Sequence, residues 1–216
     1  MERTISVRGV GHASAAPDRI ELSVSLTAQN AEYDRTSALA AEQLEELRSA
    51  LAGVGFVRDD LRTSDFSVCT EYEDSYEPNG RHTRTFRGYR CDQRMQLVFP
   101  LDTARLAEVF SALAACPAAP EFSVRFTVKD SAAVYAEVLR SAAESARMRA
   151  QTLCEAAGQT LGQLLRIDHA EQAGGLYSPT VYAMPAAAQM RMNKCADVVP
   201  QDVTAEDTVT FVWELT

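Results

Sequence analysis

The chain has 216 residues, 46% hydrophobic and 24% charged, which suits one large globular domain or two small packed lobes. Twenty-one Lys and Arg against thirty Asp and Glu give a formal charge of -9, so the overall field repels phosphate backbones and anionic lipid and argues against nucleic acid as a partner. No run approaches the roughly 18 apolar residues of a membrane helix. Met1 to Thr4 leads straight into alternating residues without the basic and apolar regions of a secretory signal, so the expected location is the cytosol.

Ile5 and Val7 open the chain on a strand-like alternation. Ile20, Leu22, Val24, Leu26 and Ala28 then alternate with Glu21, Ser23, Ser25 and Thr27, the period of a strand with one wet face. From Asn30 the spacing changes to three and four: Tyr33, Ser37, Ala40, Leu44, Leu47, Leu51 and Val54 mark one stripe of an amphipathic helix that Gly53 and Gly55 end.

Asn79-Gly80 is a two-residue hairpin signal. Counting back from it sets Phe66, Val68 and Thr70 opposite Gln93, Cys91 and Tyr89, with Met95, Leu97 and Phe99 extending the less polar row. The polar stretch from Glu73 to Arg84 reads as a projecting ribbon. Pro100 and Asp102 introduce a short helix with Leu106, Val109, Phe110 and Leu113, which Pro117 terminates. Phe122, Val124, Phe126 and Val128 alternate again.

A long helix over 131–157 is capped by Asp130 and stopped by Gly158, with Tyr135, Leu139, Ala142, Ala146 and Leu153 on its expected stripe; its alanines permit close approach. Leu165, Ile167 and His169 continue as a strand, and Val209, Phe211, Trp213 and Leu215 form the last one. Between them, 174–200 dissolves into Gly, Ala, Pro and Met and is expected to be a connection without structure of its own. The predicted fold class is therefore α+β. A ferredoxin-like βαββαβ plait is expected over 18–128, and 1–17 with 129–216 is expected to form a second, discontinuous helix-on-antiparallel-sheet lobe.

The side chains that carry chemistry are scattered. Gly9 and Gly11 with Pro17-Asp18 lack the strand-turn-helix setting of a phosphate loop and read as a bulge or bend ending in a turn. His12, His82 and His169 have no metal-ligand spacing and read as surface histidines. Asp59-Asp60 and Glu71, Glu73, Asp74 and Glu77 lie on or beside strands rather than at cation-loop spacing. Arg81, Arg84, Arg87, Arg90 and Arg94 run through Phe86 and Tyr89, but acidic residues on the opposing strand neutralise them better than a nucleic acid would.

Met184, Met190, Met192 and Cys195 are soft ligands suited to Cu(I), and equally a deformable apolar filler against a core or a partner subunit, the reading preferred here. Five cysteines without a C-x-x-C pair are expected to be free thiols; in the hairpin register Cys69 and Cys91 point to opposite faces. Catalytic, cofactor-binding and metal residues are all read as none.

Taken together, Ile5-Ser6-Val7-Arg8-Gly9-Val10-Gly11 with Pro17-Asp18, Asp60-Leu61-Arg62-Thr63 with Phe66 and Tyr72, and Gly88-Tyr89-Arg90 resemble the signatures of the SIMPL-domain family, the YggE-like proteins of bacteria. Ala146, Ala150, Ala156, Ala157 and Gly158 before Leu161-Gly162 are similar to its helix-to-strand corner, and Val209 to Leu215 to its last strand. The resemblance implies an α+β fold, oligomerisation in some members into ring-like or hollow assemblies, a loose association with oxidative or envelope stress, and no established catalytic residue.

The function expected is that of a non-enzymatic cytosolic assembly or interaction protein, a homo-oligomer held through sheet edges and the 174–200 loop. The alternative is a small-molecule binder or enzyme using a pocket between the two lobes, and a third reading is Cu(I) binding.

Overall fold

The computed structural model describes residues 3–76, 82–170, 175–184 and 199–216. Along the chain run β1 (Thr4–Ala15), β2 (Arg19–Asn30), α1 (Tyr33–Ala52), β3 (Leu61–Tyr76), β4 (His82–Pro100), α2 (Thr103–Ala114), β5 (Glu121–Thr127), α3 (Ser131–Ala156), β6 (Leu161–Asp168), β7 (Tyr177–Met184) and β8 (Val203–Leu215). A single 3₁₀ turn, Arg58–Asp60, precedes β3. The protein is α+β, with one sheet ordered β1-β8-β6 and another ordered β3-β4-β2-β5-β7. Two compact units divide the chain: residues 1–18, 126–180 and 200–216, and residues 19–125 with 181–199.

In the first unit β8 is central, antiparallel to β1 on one side and β6 on the other. The β1 register runs without a shift from Thr4↔Glu214 to Ala15↔Val203, so Gly9 and Gly11 form neither the bulge nor the bend expected of them. Their reason is packing. A Cβ on Gly9 would lie 2.0 Å from the Ala142 carbonyl oxygen, and one on Gly11 would lie 1.9 Å from that of Val138. Helix α3 thus rests on the backbone of β1, and only hydrogen at these two positions admits it.

The helix side of that contact differs from the expected stripe. The buried positions are Val134, Val138, Ala142, Ala146, Ala150 and Cys154, an unbroken spacing of four, while Leu139 and Leu153 are exposed. Methyl-sized side chains fit the close approach to β1, and leucines do not. Asp130 caps α3 by accepting from the Ala133 N–H at 2.9 Å. Asp18 joins the two ends of this unit: its N–H donates to the Thr127 carbonyl at 3.1 Å and its carboxylate accepts from the Lys129 N–H at 2.7 Å.

The stretch expected to lack structure contains β7, a second correction. Tyr177, Thr180, Val181 and Tyr182 are residues that favour a pleated strand, and the buried Ser178 hydroxyl donates to the Gln201 carbonyl at 2.7 Å. Pro179 is accommodated because β7 closes one end of its sheet, where a missing N–H is tolerated.

The second unit follows the order β-α-β-β-α-β. Ile20, Leu22, Val24, Leu26 and Ala28 from β2, Cys91, Gln93, Met95, Leu97 and Phe99 from β4, and Phe122 and Val124 from β5 are all buried. Helix α2 buries Leu106, Val109, Phe110 and Leu113, the four residues its spacing picks out, and Asp102 caps it by accepting from the Arg105 N–H at 3.0 Å. Phe110 stacks on Phe122 with centroids 5.2 Å apart, and Phe56 meets Phe99 edge-on at 5.4 Å. Helix α1 buries Thr36, Ala40, Leu47 and Leu51; Tyr33 and Ser37, expected on the same stripe, are exposed.

Asn79-Gly80 lies outside the described residues, and the register inferred from it holds only from Asp65 to Glu71, with a one-residue shift on either side. Phe66↔Gln93, Val68↔Cys91, Cys69↔Arg90 and Thr70↔Tyr89 are paired as expected. Toward the tip the register slips by one between Glu71 and Tyr72, so Tyr72 faces Phe86. Gly88 occupies this irregularity at φ +136, where a Cβ would come within 2.3 Å of the Asn30 carbonyl oxygen.

Candidate interaction surface

The expected chemical residues are distributed rather than gathered. His12 lies on an exposed strand face, 3.5 Å from Glu206. His82 pairs with Asp74 at 3.0 Å. Arg84 sits over the Tyr72 ring at 4.4 Å and Arg87 pairs with Glu73. Arg90 donates to Asp92 at 2.7 Å and to Glu71 at 3.1 Å, contacts that raise its pKa further above the usual range.

Carboxylates of the facing strand therefore neutralise Arg84, 4.0 Å from Asp74, together with Arg87 and, through Glu71, Arg90, as the acidic facing row suggests. Arg94 stands opposite Asp65 in the register. Asp60 serves the backbone, its carboxylate accepting from the Val57 N–H at 2.8 Å. Glu77, Arg81, Met190, Met192 and Cys195 lie outside the described residues, as does most of the 174–200 loop, and Met184 ends β7. Among the described residues no three His, Cys, Asp or Glu side chains gather as metal ligands would, and no helix is long and apolar enough to cross a membrane.

One hydrogen-bonded pair, His169 with Asp207, is not legible in the sequence. The β8 row facing α3 reads Val203, Ala205, Asp207, Val209, Phe211, Trp213, with a single carboxylate among apolar side chains. Asp207 is 7% exposed and is satisfied by the His169 ring nitrogen Nε2 at 2.8 Å and by the Thr208 N–H at 2.6 Å. The His169 hydrogen bond outweighs burial and holds the Asp207 carboxyl below its ordinary range. His169 is exposed, as expected of it, and its ring reaches in from the surface to the buried Asp207.

The feature that stands apart is β3. It ends its sheet, and every residue from Arg62 to Thr70 is exposed. Helix α1 packs on β2 and β4, leaving the inward row of β3 uncovered. Phe66 is 59% exposed and Tyr33, across the gap on α1, is 53% exposed. With Leu44, Val68 and the floor residues Cys91 and Gln93 they line a groove of about 250 Å³. The Gln93 amide donates to the Ala40 carbonyl at 3.2 Å, and burial pushes the Cys91 thiol pKa up, keeping it protonated and unreactive.

The apolar surface continues along the hairpin. Tyr33, Tyr89, Phe86 and Tyr72 form a chain of edge-to-face contacts with centroids 5.4 to 5.7 Å apart. Phe66, Val68, Tyr72 and Phe86 are large apolar side chains left at the surface in one neighbourhood, beside a strand edge whose outer N–H and C=O groups meet no partner strand among the described residues. A strand edge with an apolar face leaves backbone donors and acceptors beside surface that another strand can cover.

The family model for SIMPL, described as a protein of unknown function (DUF541), matches residues 5–213. No curated protein matches the chain significantly.

Proposed function

The chain belongs to the SIMPL family, whose function is unknown, and from that premise we propose that this protein is a non-enzymatic assembly protein that forms homo-oligomers through sheet edges. The observation that carries this reading is the uncovered β3 edge, flanked by Phe66, Val68 and Tyr33. Burying such a surface against another chain gains roughly 25 cal/mol per Å² before the cost of association, and leaving it wet forgoes that gain.

The same reading includes the ferredoxin-like plait, supported by the β-α-β-β-α-β order over residues 19–127 and by the sheet order β3-β4-β2-β5. It also includes a reducing compartment, supported by the free thiols of Cys69, Cys91, Cys116 and Cys154, and the link to stress that the resemblance implies. Light scattering tests the assembly. The wild-type chain is expected to exceed its single-chain mass of 23.6 kDa at micromolar concentration, and Phe66→Glu to lower that mass with its circular dichroism unchanged. A wild-type mass of one chain removes the reading.

A further inference from the structure

We propose that the occupant of the β3 edge is β6 of a second copy, paired antiparallel, an inference that rests on the assembly reading and names its interface. The second edge with an uncovered apolar row is β6. It ends the sheet of the first unit, α3 packs mainly on β1 and β8, and Leu164 and Ile167, whose partners Trp213 and Phe211 face the core, are 47% and 54% exposed. Neither helix covers its edge, so an inward row on each strand is open to the other.

Charge sets the register. On the outward face of β3, Arg62 stands opposite Gln96 and Asp65 opposite Arg94; the bulged Ser64, whose hydroxyl donates to the Arg94 carbonyl at 3.2 Å, makes these two charges neighbours two pairing steps apart. No ion pair among the described residues engages Arg62 or Asp65. On the outward face of β6, Arg166 and Asp168 are likewise two steps apart, opposite Val212 and Thr210, and are held only by an exposed contact to each other at 2.9 Å. That contact is weak enough to exchange.

Laid antiparallel, Arg62 meets Asp168 and Asp65 meets Arg166, each pair of opposite sign. Thr63 then faces Ile167, and Phe66 faces Leu164 once the extra residue Leu165 is passed, which puts both inward rows on one side. All of β6 is used.

Pairing of β3 with its own copy is less favourable. Registers that centre the strand on Val68 or Cys69 set Asp65 against Glu71 or Glu73, and the register that matches Arg62 with Asp65 overlaps only over 61–66. The edge at β7 carries Pro179, which removes a donor. A β3–β6 contact joins unlike surfaces, so each added copy leaves one edge of each kind free until a ring closes.

A charge exchange on the full chain tests the pairing, read by light scattering with circular dichroism as the control for folding. Asp65→Arg and Arg166→Asp are each expected to reduce the wild-type mass to that of one chain, and the double variant to restore it. If Arg166→Asp keeps the wild-type mass, β6 is not the partner, although the assembly reading stands. A double variant that stays at one chain overturns the register. A monomeric wild-type chain overturns the pairing and the assembly together.

Discussion

The two units solve helix-on-sheet packing in opposite ways. In the first, α3 descends onto β1 until its backbone meets Gly9 and Gly11, and Ala142, Ala146 and Ala150 supply contact without bulk. In the second, large side chains fill the space beneath the helices: Leu47, Leu51, Leu106, Val109 and Phe110 with Leu22, Leu97 and Phe99. Close backbone approach depends on what the side chains leave out, whereas a filled layer depends on what they occupy. The two units should therefore fail under opposite substitutions.

The largest effect belongs to deletion in the filled layer. Leu97→Ala, at a fully buried position of β4, is expected to cost about 4 kcal/mol, measured by urea unfolding. Addition is the damaging change in the first unit: Gly11→Val places a branched side chain against the Val138 carbonyl and is expected to cost about 3 kcal/mol, while Ala146→Gly should cost only about 1 kcal/mol. Equal losses from Gly11→Val and Ala146→Gly would contradict the close contact.

Smaller effects sharpen the contrast. Asp102 and Asp130 cap α2 and α3, and replacing either by Ala should cost about 1 kcal/mol, whereas Glu32 makes no side-chain cap bond on α1 and Glu32→Ala should be near neutral by thermal melting. The pH response separates the units again. Asp207 titrates lower when folded than the usual value of about 3.9, so its stabilisation is present above that value and is lost as pH falls through the folded one. Asp207→Asn should flatten the acid limb of a stability-versus-pH profile below about pH 4, and an unchanged limb would rule out the His169 contact as its source.

Much of this fold is legible in the residues. Alternation in β2, β4 and β5 and the helical spacing of α2 name their buried faces, because large apolar side chains there do the filling. The hairpin register is legible from Asp65 to Glu71, where the inward and outward rows must both be satisfied, but not the one-residue shifts that flank it. Alternation alone does not tell how near a helix will come: Gly9 and Gly11 look like a bend until α3 is laid upon them. Nor does it rank strands within a sheet, so the less polar row that holds Phe66 and Val68 does not tell that β3 ends the sheet and leaves them exposed. Asp207 interrupts the rhythm of β8 and hides its first half, since its partner His169 is distant in sequence.

Hydrogen exchange at β3 tests the central claim most directly, because the amides of Arg62 to Thr70 that do not donate to β4 point along the open edge. If another chain covers that edge, these amides exchange slowly at micromolar protein and faster on dilution. If they exchange as freely as an unpaired strand at every concentration, the edge has no occupant and the assembly reading is wrong.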